Sequence, residues 1–266
     1  MFDLTRSQIR RATQDIRKSI VKWRVWNLLA WQEVKQRYRR STVGPFWLTL
    51  SMGVQIVTMG VVFSLLFGQS FSRAIPYVAL GFIFWSMIAG IINEGAMAFV
   101  TSSTWILQIN MPLATYVLQR VWSNVIMMAH NLVIFLVLVV IYSIYNVTFP
   151  LFFLTLPLVL LALGWAPLLL AVASTRFRDL PAIVTNSFSL LFWLTPIAYR
   201  PEQLGRREII VEFNPLTHML ALLREPLLGE LPSLRNLSVV VATGIVGWAI
   251  AFPFFARFRG RIAYWL

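Results

Sequence analysis

An all-α, polytopic membrane fold is predicted by three features of the sequence. Hydrophobic residues make up 58% of the 266, charged residues 12%, and mean hydropathy is +0.72, which is too apolar for a soluble domain. The apolar stretches are continuous rather than alternating, so barrel strands are not expected. They are also long: charge-free runs cover 41–72, 74–93, 95–119, 121–175, 180–199 and 236–256. About 20 apolar residues cross a hydrocarbon core of about 30 Å.

The longest run holds two spans, parted by the turn sequence YNVTFP at 145–150. Six transmembrane helices are therefore expected, near 45–67, 76–100, 113–143, 150–174, 181–199 and 236–256. Residues 1–44 form a separate cytoplasmic, interfacial region ahead of a transmembrane domain at 45–266. Within that region Ile9, Ala12, Ile16, Ile20 and Trp23 recur every three or four positions, and Arg10, Arg11, Arg17 and Lys18 lie off the stripe. The pattern is that of a basic amphipathic helix on the membrane surface, the alternative being a solvated basic tail. Trp23, Trp26 and Trp31 favour the helix, because Trp is enriched at headgroup level.

Orientation follows from charge. With the N terminus inside, cytoplasmic segments hold sixteen Lys or Arg: eleven in residues 1–40, then Arg176, Arg178, Arg257, Arg259 and Arg261. Outer segments hold six, so the positive-inside rule places both termini in the cytoplasm. The net charge of +13 raises nucleic acid as a partner. Its distribution beside the apolar runs excludes that and points to membrane lipids. No signal-peptide pattern precedes the first run, and the absence of cysteine leaves the redox compartment open.

The stretch QEVKQRYRRSTVGPFW at 32–47 joins the basic region to the first span. It puts Arg37, Arg39 and Arg40 at the inner face, where a guanidinium fork suits phosphate, of lipid or of a substrate. At 101–112, TSSTWILQINMP is an inner loop too apolar for a free linker, which marks a docking surface. At 200–235 a long outer connection contains FNPLTHMLALLREPLLG, with Asn214 as cap, Pro215 at the first helical position and Gly229 as stop. This helix is too short and too charged to span, so it re-enters the outer leaflet or covers the outer mouth as a gate. Arg224 would anchor its polar face.

Two charges fall inside spans. Glu94 and Arg120 each lie about eight residues from an inner helix end, roughly 12 Å deep, and are expected to pair or else to face a channel separately. Catalytic and metal sites are absent from the sequence. There is no Walker A pattern, and His130 and His218 have no acidic ligands beside them. The outer Glu residues are mixed with Arg, as a solvated loop would be.

Four motifs in order carry a family resemblance. EVKQRYRRSTVGPFW, WILQINMP, STRFRDLP and FNPLTHMLALLREPLLG resemble segments of ABC-2 type permeases from bacterial polysaccharide exporters, and with the basic end RFRGRIAYWL the match covers nearly the whole chain. Gln108 departs from it, standing where such permeases often carry a basic residue.

The resemblance implies the permease subunit of an inner-membrane ABC transporter that exports lipid-linked polysaccharide, O antigen or capsule. A teichoic acid exporter is the near alternative. It implies a homodimer and two separate ATP-binding subunits, which bind ATP and Mg while this chain binds no cofactor. Coupling to the ATPase would pass through Trp105, Ile106, Leu107 and Gln108 and through Arg176, Arg178 and Asp179, although Arg178 and Asp179 could instead pair locally. Phe82, Trp85, Phe188, Phe192, Trp193 and Tyr199 could stack sugars along the channel, or pack against lipid and each other. Outside the resemblance, an ion-coupled secondary transporter would rely on Glu94, Arg120 and His130, and a membrane glycosyltransferase on the outer acids.

Overall fold

The computed structural model describes residues 5–38, 46–144 and 146–266, and among these the regular structure is all helix, without strands. Two helices precede the first span: α1 (Arg6–Val21) and α2 (Trp23–Tyr38). Neither lies free on a surface. α1 buries Ala12, Asp15 and Ser19 against α7 (Ala114–Tyr142) and α13 (Leu234–Phe258), and α2 lies along α7. The expected apolar stripe divides accordingly: Ala12 is buried, while Ile9, Ile20 and Trp23 stay exposed. Small residues let α1 approach the bundle, Ile16 packs half-buried against it, and the other large apolar residues of the stripe are left at its edge.

α3 (Phe46–Phe67) is the first span and ends at Gly68, whose φ of 62° closes the turn. α4 (Phe71–Ala96) begins five residues before the expected 76 and is the centre of the molecule. It touches α3, α7, α9 (Trp165–Arg176), α10 (Leu180–Leu194) and α12 (Pro215–Leu228). The reason is compositional, because 74–93 is charge-free on every face and a helix apolar all round belongs inside. Gly81 sits where a Cβ would fall 2.0 Å from the Ile197 carbonyl oxygen, so only glycine permits that approach.

At Met97 the helix bends into two short pieces, α5 (Ala98–Thr101) and α6 (Ser103–Gln108), which form most of the expected inner loop. The third span is α7. The fourth is α8 (Phe152–Leu163) followed by α9, interrupted at Gly164, where Pro167 removes a ladder bond and crowds the carbonyl of Leu163.

Among the described residues five helical segments are long and apolar enough to cross a membrane. The fifth expected span is corrected in length: α10 has 15 residues, about 22 Å of rise. Pro196 explains the early stop by driving Thr195 to φ −106°, ψ 136°, so 195–199 turns away instead of continuing the helix. After α11 (Glu208–Glu212) and α12, the last span α13 ends near Phe258, and α14 (Ile262–Trp265) follows.

Candidate functional site

On the expected inner face, α6 exposes Trp105 and Leu107, and Ile106 packs inward beside Phe99. Gln108 is the exposed last residue of α6. Arg176 ends α9, and exposed Phe177 leads to Arg178 and Asp179 ahead of α10. The local pair open to Arg178 and Asp179 is not among the described ion pairs. Arg178 instead donates to the carbonyls of Trp265 and Leu266 at 3.3 and 3.5 Å. α14 touches both α6 and α9, so it brings the two expected coupling segments to one surface. The sequence reading assigned α14 no such role, because a four-residue helix has no readable period.

Glu94 and Arg120 are not partners, which corrects the expected pair. Arg37 donates to Glu94 at 2.7 Å and to Glu33 at 2.9 Å, while Arg120 is ion-paired to Glu33 and donates to Thr101 at 2.9 Å. Asn124 donates to Glu94 at 3.0 Å and Gln119 to Glu33 at 3.1 Å. The cause is α2, which docks along α7 and offers each half-buried charge a counter-charge of its own. Trp122 reinforces the docking by donating to Asn27 at 2.6 Å and meeting Trp26 edge-on. Arg37 is thereby committed to two carboxylates rather than left open to phosphate. Arg39 and Arg40 lie outside the described residues.

Between α3 and α10 the surface of α4 forms an aromatic groove. Phe82 and Trp85 are buried there, with ring centroids 5.6 Å from Phe192 and 5.7 Å from Phe188, respectively. Trp193 meets Phe192 edge-on at 5.2 Å, and Tyr199 donates its hydroxyl proton to the Trp193 carbonyl at 3.2 Å. All six expected aromatics thus share one region, but they differ in burial. Phe82 and Trp85 are core, whereas Trp193 is 67% exposed. Gln55 of α3 and Thr195 help line a cavity of about 200 Å³ beside them. The exposed hydroxyls of Thr185, Ser187 and Ser189 on α10 donate to carbonyls four residues back.

On the expected outer face, α12 starts and stops as the sequence predicts. The Asn214 side chain accepts from Leu216 N at 3.0 Å, Pro215 is the first helical residue, and Gly229 adopts φ 91°. Its last carbonyls are satisfied by Asn146 and Thr148, at 2.9 and 2.8 Å. The helix is set into the bundle. It is packed among α4, α8 and α13, and Arg224 is buried inside instead of anchoring a polar face. The Arg224 guanidinium lies 3.8 Å over the Tyr77 ring and donates to the Pro196 carbonyl at 2.9 Å. Nearby, Arg235 holds the Glu212 carboxyl below the usual carboxylate range, and burial pushes Glu225 above it.

Residues 24–228, well over half of the chain, match the family model for ABC-2 type transporters. The chain belongs to this family. Two curated relatives extend the likeness over almost all of it. An O-antigen export system permease protein RfbA of Klebsiella pneumoniae is 22% identical over 240 residues, covering 87% of this chain and 91% of the relative. Another RfbA, of Myxococcus xanthus, is 24% identical over 238 residues, covering 86% and 90%. This ABC-2 protein is therefore a multi-pass membrane permease related to O-antigen export systems, and its family is not one of catalytic enzymes. Among the described residues no group of His, Asp and Glu is placed to hold a metal ion.

Proposed function

We propose that the chain is the permease subunit of an inner-membrane ABC exporter for lipid-linked polysaccharide of the O-antigen or capsular type. It works as a homodimer with two ATP-binding subunits that supply ATP and Mg chemistry. In this reading α10 is a sixth crossing, the termini are cytoplasmic, and a cytoplasmic interfacial region at 1–44 precedes the transmembrane domain at 45–266. The observation that carries it is the groove between α3 and α10. Its aromatic lining ends in the exposed ring of Trp193, with Gln55 and Thr195 beside it, a combination that suits the apolar and polar faces of sugars. Exposed Trp105, Leu107 and Phe177 on one surface support docking of the ATPase there.

Ion coupling is disfavoured, because Glu94 and Arg120 spend their charges on α2. The decisive experiment is deletion of the gene, followed by analysis of surface glycan and of lipid-linked intermediates. Loss of the surface polymer with accumulation of its lipid-linked precursor inside is expected. Normal surface glycan, with no accumulated precursor, overturns the reading.

A further inference from the structure

A polar cavity of about 200 Å³ lies apart from the groove, where α1 meets the turn before α7 and the end of α13. Its wall carries four basic side chains, Arg11, Lys18, Lys22 and Arg259, and one carboxylate, Asp15. That carboxylate is already spent. Asp15 Oδ1 accepts from Ala114 N at 2.9 Å, and Oδ2 accepts from Leu113 N at 3.1 Å and from Arg259 Nε at 2.8 Å. The Arg259 Nη2 nitrogen adds a contact of 2.6 Å to the same oxygen.

Asp15 therefore caps the start of α7 and neutralises Arg259, and it leaves the other cations uncompensated. Arg11 and Lys18, on one edge of α1, and Lys22, just past its end, recur at i, i+7 and i+11, all exposed, and no described ion pair includes them. Like charges four residues apart on a helix repel, and an anion seated between them turns that repulsion into binding.

We propose that this cavity is a binding site for a phosphate-bearing anion, supplied by the headgroup of an anionic phospholipid. Its position argues for lipid as the source. The cavity opens at the expected inner ends of two spans, between the turn before α7 and Arg259 just past α13, the depth at which phospholipid headgroups lie. Asn110, in the turn before α7, also lines the cavity and adds an amide donor. An occupied site would bridge α1 to that turn and so hold α1 on the bundle.

The test is lipid retention by the full-length protein in nanodiscs, read by native mass spectrometry, with phosphatidylglycerol against phosphatidylcholine. The double variant Lys18→Gln/Lys22→Gln should weaken phosphatidylglycerol retention on the order of tenfold. Arg10→Gln/Arg17→Gln, which removes the same charge from exposed positions outside the cavity, should leave retention near that of the unchanged protein. Lys18→Arg/Lys22→Arg should keep it.

Equal losses in the two Gln variants would reduce the cavity to diffuse surface charge and overturn the site. Binding of inorganic phosphate in phosphatidylcholine nanodiscs, lost in the cavity variant while phosphatidylglycerol retention is unchanged, would overturn the lipid source. So would unchanged lipid retention with weakened co-purification of the ATPase subunit, which would make the ligand an acidic protein surface.

Discussion

A charge placed in a bilayer must find a counter-charge, and at the residue scale the chain solves this by bringing α2 to the bundle. The inner network couples Glu94 to Arg37 directly and to Arg120 only through Glu33. A double-mutant cycle reads this difference. Arg37→Gln with Glu94→Gln should show a coupling of about 0.5–1 kcal/mol in unfolding of the detergent-solubilised protein, modest because both side chains are partly exposed. Glu94→Gln with Arg120→Gln should be nearer to additive. A larger coupling for the second pair would restore the direct contact that sequence position alone suggests. Position in sequence estimates depth, and both residues do lie near the inner end of their helices. It carries no sign of α2, whose Glu33 and Arg37 are ordinary charges until the helix docks. Asp15 was hidden for the same reason: one acid among many bases looks like a counter-ion, and only the fold shows it seated at the start of α7.

Element boundaries were legible wherever local chemistry decides them. Asn214, Pro215 and Gly229 delimit α12 as expected, since a cap, a fixed φ and a left-handed stop act within a few residues. The surroundings of α12 were not legible, because amphipathic spacing identifies an apolar face but not that Tyr77 waits to receive Arg224. Asn214 has two duties, accepting from Leu216 N and donating to Thr195 at 2.9 Å. Asn214→Ala should cost roughly 0.5–2 kcal/mol, while Asn214→Asp keeps the cap and loses only the Thr195 bond. Hydrogen exchange at the first turn of α12 should therefore rise in the first variant and stay low in the second. A pH effect belongs to the neighbouring α11. The Glu212 carboxyl, held down by Arg235, contributes stability above the ordinary carboxylate range, and this is lost as pH falls through its lowered value. Exchange in α11 should thus rise at acid pH, and Glu212→Gln should remove the pH dependence.

In the whole molecule, burial separates aromatics that the sequence presents as alike. Phe82, Trp85, Phe192 and Trp193 all sit in charge-free runs, and neither composition nor spacing distinguishes core from surface there, because lipid and protein interior are equally apolar. The architecture was legible to the extent that charge gaps mark helices, and α10 departs from the expected fifth span only because Pro196 ends it early. What remained unreadable is which faces the helices leave uncovered. α4 is enclosed, while α10 buries only Val184 and turns Trp193 outward beside α3. If this uncovered groove is the path of the polymer, packing and transport should separate under mutation. Trp85→Ala should destabilise the fold by about 3 kcal/mol, through the cavity left between α4 and α10, and lower the amount of folded protein. Trp193→Ala removes a side chain that is 67% exposed, so folding should be nearly unchanged. Export of surface polymer, measured at matched protein level and with the ATPase subunit present, should nevertheless fall. Full export by a well-folded Trp193→Ala variant would mean that the exposed ring meets lipid or the second copy, and that the sugar passes elsewhere.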